Sequence, residues 1–198
     1  MWERSTHSSK VDIELNKSCR TITGTLKATP KQALYILAGI APPEIRRDTI
    51  TKVERDKQLT DDRHPMYGHQ EARRRLKSRR SFVTTNGLGS VTAKAYRLGK
   101  WTDRLDLQSN ALPEPKEGLP SGTNLPRRDW VALNRARSGV ARTGLNLLRW
   151  GITATSECVC GEPTQTLEHL LCCCPEGPSC SDEDLRDAND AARRWLER

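Results

Sequence analysis

Residues 11–24 read VDIELNKSCRTITG, and this stretch decides the fold class. Val11, Leu15, Cys19 and Ile22 recur at spacings of four, four and three, the repeat of one face of an α-helix, and Gly24 stands where such a helix would stop. The same period continues along the chain. Pro30 can open a second helix carrying Ala33, Leu34, Leu37 and Ala38, ended by Gly39. Pro42 and Pro43 start a third, with Ile45, Thr49, Lys52 and Val53 in one region and Arg46, Arg47, Arg55 and Lys57 in water. From about Ser90 to Asp106, Val91, Ala95, Leu98, Thr102 and Leu105 fall on one helical face. Arg128 to Ser138, Thr143 to Trp150 and Leu167 to Cys173 read as further short helices. Ser181 followed three residues later by Asp184 is a capping-box pattern ahead of Leu185, Ala188, Ala192 and Trp195. Alternation with period two is scarce. The sequence predicts an all-α fold of short helices.

Two lobes are expected. Residues 109–126 hold Pro113, Pro115, Pro120 and Pro126 with Gly118 and Gly122, a density that reads as a linker between a region 1–108 and a segment 127–198. Residues 61–69 read as a turn.

Charge divides the chain differently. Residues 150–198 hold ten Asp and Glu against four Arg, a net of −6, so residues 1–149 carry +14 of the total +8. A basic body with an acidic tail points to a polyanion partner, because Lys and Arg on phosphates release condensed counterions. The longest apolar stretch, Ala33 to Ala41, is far short of the ~20 residues of a membrane span. Residues 1–10 lack the apolar core of a secretory signal. A protein that stays inside the cell, away from membranes and without a small-molecule substrate, is the expectation.

Cys19 stands alone, whereas Cys158, Cys160, Cys172, Cys173, Cys174 and Cys180 crowd the C-terminal region. An odd number of cysteines without a secretory signal argues against a disulfide framework. Cys158-Val159-Cys160-Gly161, then His169, then Cys172 to Cys174 offer soft and borderline donors for tetrahedral Zn²⁺. The C-x-C spacing is tighter than usual, and three adjacent cysteines leave the fourth ligand open. Cys173 shares an α-helical face with His169; Cys174 needs the helix to loosen before Pro175. Cys180 reads as a bystander, and His7, His64 and His69 as solvated loop residues.

The second constellation is basic. Arg73, Arg74, Arg75, Lys77, Arg79 and Arg80 form a dense run. Lys94, Arg97, Trp101 and Arg104 make a helical stripe of cations in which Trp101 could offer a stacking face to a base. Arg127, Arg128, Arg135, Arg137 and Arg142 surround Trp130, which reads as a core anchor; Arg135 and Arg137 join the candidate nucleic-acid contacts. Catalytic signals are missing: there is no Gly-rich phosphate loop, no paired-Asp strand motif and no serine triad. The residues by themselves describe a basic, helical, zinc-containing nucleic-acid binder.

Four ordered stretches carry a resemblance. Val11 to Pro30 and Leu37-Ala-Gly-Ile-Ala-Pro-Pro-Glu-Ile-Arg-Arg47 resemble the region after the palm in reverse transcriptases of jockey-like non-LTR retrotransposons. Trp130-Val-Ala-Leu-Asn-Arg-Ala-Arg-Ser-Gly139, and Cys158-Val-Cys-Gly with Gln165 to Leu171 and Cys174-Pro175, resemble the C-terminal segment of the same polyproteins. The resemblance implies a thumb-like helical region over 1–108, a zinc knuckle at 158–174 and an acidic tail helix. It also implies a structural zinc on Cys158, Cys160, His169 and Cys174, contact with RNA or DNA, and work in the nucleus. Fingers, palm and catalytic aspartates would precede Met1, so the chain is expected to lack polymerase activity alone, as a truncated gene model or a decayed copy. A remnant without activity, and an accessory subunit acting on a separate catalytic palm, are the competing expectations.

Overall fold

The computed structural model describes residues 7–69, 83, 85–105 and 110–197. The described residues are helical and contain no strand, so the all-α expectation holds. The helices are α1 (Ser8–Thr23), α2 (Lys31–Ala38), α3 (Pro43–Thr60), α4 (Ala93–Thr102), α5 (Arg127–Arg137), α6 (Gly144–Arg149), α7 (Asp182–Asp187) and α8 (Asp190–Leu196), with a π-helical turn at His169–Cys173. No described helix is long and apolar enough to cross a membrane.

The chain divides into two compact units, but not at 109–126. One comprises Met1–Leu15 with Ala41–Leu105, the other Asn16–Ile40 with Asp106–Arg198. The Pro/Gly-rich stretch is packed within the second unit. Leu112 lies in a buried cluster with Ala33 and Leu37 of α2, Ala111 joins the main core, and the Gly118 N–H donates to the Gly39 carbonyl at 2.9 Å. Two apolar side chains at the start of the stretch outweigh the spacer character of its prolines, because their burial is favourable wherever a core is in reach.

In the first unit α3 packs on α4. The Tyr96 hydroxyl donates to Asp48 Oδ2 at 2.6 Å, and the Lys52 ammonium sits 5.5 Å from the centre of the Tyr96 ring. Burial, with the Asp48 carboxylate beside it, pushes Tyr96 up to about 12. The Asp56 carboxylate accepts the Leu88 N–H at 2.8 Å, and Arg47 forks onto the Asp12 carboxylate. Arg47 is therefore a tie rather than a wet surface residue. His64 is likewise tied: its Nε2 meets Glu54 at 2.9 Å while its Nδ1 accepts the Met66 N–H, which assigns the proton to Nε2 and anchors the 61–69 turn to α3.

Two helices bury a different face from the one their aliphatic residues suggest. On α1, Asn16, Cys19 and Thr23 are buried, whereas Val11 and Ile22 are exposed. On α4, Trp101 is 1% exposed while Leu98 lies toward solvent, and Val91, expected on the same face, falls outside the helix and is exposed. One indole buries more apolar area than several small side chains, so Trp101 sets the rotation of α4.

The second unit is organised around α5. Helix α2 is buried along Ala33 to Ala38 between Pro30 and Gly39, as the sequence implies. Asn16 accepts the Tyr35 hydroxyl at 2.7 Å, fixing α1 to α2. The last carbonyls of α1, which have no partner within the helix, are met by side chains of α5. Arg127 donates to Thr21 and Ile22, Trp130 Nε1 to Ile22 at 3.2 Å, Asn134 to Thr23 at 3.0 Å and Arg135 Nε to Gly24 at 2.9 Å. The approach is close enough that a Cβ on Gly24 would fall 2.2 Å from Val131. Trp130 is thus the anchor its position suggests.

The main core gathers Leu133 and Ala136 of α5 with Leu171, Cys180, Leu185, Ala192, Trp195 and Leu196. The Ser181–Asp184 capping box forms. The single tail helix it was expected to start is two helices: Ala188 adopts a left-handed φ of 55°, and Asn189 caps α8 through the N–H groups of Ala191 and Ala192. The break keeps Leu185, Ala188, Ala192 and Trp195 all buried.

Candidate functional site

Cys158 to Gly161 form a tight turn closed by the Gly161 N–H to the Cys158 carbonyl at 2.9 Å, and the Cys158 N–H donates to Glu162 at 2.8 Å. Gly161 has a φ of 91°, a conformation that disfavours any side chain. Across from this turn, the Cys174 N–H bonds to the His169 carbonyl five residues back at 2.8 Å. That π register adds one residue to the turn and carries Cys174, not Cys173, onto the side of His169. Cys174 is buried; Cys172 and Cys173 are exposed.

The result is a cluster. The donor atoms of Cys158, Cys160, His169 and Cys174 all lie within 4.8 Å of one another. Cys158 Sγ is 3.8 Å from Cys174 Sγ, and Cys160 Sγ is 3.2 Å from His169 Nε2. Two thiolates at the usual 2.3 Å from a tetrahedral zinc sit about 3.8 Å apart, so the first distance matches such an ion's edge. Three sulfurs and one imidazole nitrogen are a donor set suited to a closed, structural metal site. All four residues that the resemblance implies as ligands are brought together.

Backbone and amide donors serve the sulfurs. The Cys160 N–H and the Gln165 amide, the latter at 3.3 Å, donate to Cys158 Sγ and hold its thiol down at about 6. Cys160 moves the other way: the Glu162 N–H favours its thiolate, but burial and the neighbouring Cys158 and Cys174 sulfurs outweigh it and raise the thiol. Gln165 also ties the site to α6, accepting the Gly144 N–H on its side chain at 2.8 Å and the Leu145 N–H on its carbonyl at 3.2 Å. Neither charge nor spacing in the sequence marks Gln165. Cys180 is buried in the core beside Leu185, a packing residue.

No protein family model, curated protein or solved structure matches this chain. The reading of the site rests on its geometry.

The basic candidates separate into three groups. Arg73, Arg74, Arg75, Lys77, Arg79 and Arg80 lie outside the described residues. Lys94 and Arg104 are exposed on or just past α4, with Arg104 4.0 Å from Glu44, and Arg97 is half-buried. Trp101 is buried with its Nε1 lacking an acceptor among the described residues, so it is a core residue and not a stacking face. Arg137 is also a correction. It is fully buried, donating to the carbonyls of Leu185 at 2.7 Å, Arg186 at 2.9 Å and Ser121 at 3.0 Å, and burial lowers it to about 10. No phosphate can reach it. Arg135 is half-buried, and burial and then the like charge of Arg142 lower it from its ordinary value.

Proposed function

We propose that residues 158–174 hold a structural Zn²⁺ through Cys158, Cys160, His169 and Cys174, and that the chain is a non-catalytic nucleic-acid-binding part of a jockey-like non-LTR reverse transcriptase. The observation that carries the metal reading is the convergence of four donors within 4.8 Å. A bound Zn²⁺ would take three thiolates and neutral His169 Nε2 and fix the loop against the π turn. Val159 at the tip of the loop is 86% exposed, an apolar surface available to an unstacked base. The +14 charge of residues 1–149 supports a phosphate partner, with Lys94, Arg97 and Arg104 among its contacts. On this reading the chain works beside a catalytic palm, in the nucleus where retrotransposon templates are copied.

Metal content and salt-dependent binding test the proposal together. The purified chain should contain one zinc, lost in Cys158→Ser and in His169→Ala. Affinity for a labelled single-stranded RNA should fall steeply between 50 and 200 mM salt, by about tenfold or more for several phosphate contacts. A metal-free wild type would overturn the zinc site; a log-log salt slope near zero would overturn the nucleic-acid role.

A further inference from the structure

Within the second unit, Leu26 and Lys27 after α1, Arg135 on α5, Arg142 before α6, Trp150 at its end and Ile152 beyond it line an open cleft of about 590 Å³. Its walls are mostly apolar: Ile152 is 60% exposed, and Leu26 and Trp150 are half-exposed. Three cations stand at its edge. Arg135 is held there by its Nε bond to the Gly24 carbonyl. Among the described residues no carboxylate pairs with Lys27, Arg135 or Arg142.

This combination is unlike the rest of the basic surface. Arg127 and Arg137 direct their terminal guanidinium nitrogens at carbonyls, and Arg47 directs its own at Asp12, whereas the carbonyl bond of Arg135 uses only Nε. Arg135 and Arg142 instead line one cleft as like charges, a repulsion that an anion between them would relieve. Beside them the half-exposed indole of Trp150 lines the cleft together with Leu26 and Ile152. Paired cations next to an aromatic platform suit a ligand with a phosphate at one end and a planar ring at the other.

We propose that this cleft binds one nucleotide of a single-stranded nucleic acid, its phosphate between Arg135, Arg142 and Lys27 and its base against Trp150 and Ile152. The inference rests on the reading of the chain as a nucleic-acid binder and adds to it a contact point made by different residues from the Cys/His cluster.

The test uses the full chain with zinc and a fluorescently labelled eight-residue oligothymidylate, followed by anisotropy. Arg142→Gln, at an exposed position, should weaken binding about tenfold and reduce the salt slope by about one. Trp150→Ala should weaken it about 5- to 100-fold, the range for losing one stacked base. Trp150→Phe should recover most of that loss, and Lys10→Gln on α1 should be near neutral. If the wild type binds and both cleft variants bind equally well, the cleft is overturned while the nucleic-acid reading stands. If wild-type chain carrying its zinc shows no binding at any salt, both are overturned. If an oligoglutamate peptide competes as well as unlabelled strand, the cleft is an acidic-peptide site and the proposal fails.

Discussion

Helices α4 and α5 carry the same written pattern, a tryptophan among cations at helical spacing, and use it differently. On α4 the indole of Trp101 is buried while Lys94 is exposed to solvent. On α5 the cations themselves are engaged: Arg127 and Arg135 meet the carbonyl end of α1, and Arg137 meets that of α7. The carbonyl end of a helix carries partial negative charge and unsatisfied acceptors, so it can take a guanidinium much as a phosphate does. A cluster of arginines in a sequence therefore has two outlets, and only the position of neighbouring helix ends separates them.

Stability measurements can break the comparison most directly at Arg137. Arg137→Met keeps the volume but strands three carbonyls, two of them at the end of α7, and should cost about 3–5 kcal/mol in urea unfolding. A loss under about 1 kcal/mol would mean those bonds are dispensable. Trp101→Ala should cost about as much, roughly 3–5 kcal/mol, from the cavity it leaves. Trp101→Phe should cost under about 2 kcal/mol, since Nε1 has no hydrogen bond to lose, and leave nucleic-acid affinity unchanged. Weaker RNA binding in the folded Trp101→Phe protein would restore the stacking role that burial removes.

Smaller effects sharpen the contrast. Arg127→Ala should lower stability by about 1 kcal/mol with little change in salt slope, because its charge is directed at α1. Lys94→Gln should do the reverse, moving stability by less than about 0.5 kcal/mol while reducing the slope by about one. Equal behaviour of the two variants would erase the distinction between the helices. Smallest is a local pH effect at Asp184. The Asn189 amide, then the Ser181 N–H and hydroxyl, hold its carboxyl below the usual 3.8. The contribution of this cap is fully present above the unfolded value and is lost as pH falls through the lowered one. An NMR titration of the Asp184 carboxyl should have its midpoint below 3.8, and a midpoint at or above that value would refute the cap.

Much of this was legible in the residues. Pro30, the apolar run of Ala33 to Ala38 and Gly39 define α2, because a wholly buried helix needs no choice of face. Cys158, Cys160 and His169 were legible with a fourth donor open among Cys172 to Cys174; only the resemblance pointed to Cys174, because the choice over Cys173 depends on the π register, a backbone property with no residue code of its own. The faces of α1 and α4 were misread because Asn16 and Thr23 are buried through hydrogen bonds and Trp101 outweighs its aliphatic neighbours. The roles of Arg127, Arg135 and Arg137 could not be read locally, since nearly all of the carbonyls they meet lie between 48 and 111 residues away in the chain.

The π turn gives the run of three cysteines a meaning of its own. Contraction of that turn by one residue, to the ordinary four-residue repeat, would withdraw Cys174 from His169 and deliver Cys173 in its place. The chain thus carries a spare thiol one step along, and a Cys174→Ser chain has a substitute within a single register slip. Redundancy of this kind would let the cluster keep four donors after damage to one of them.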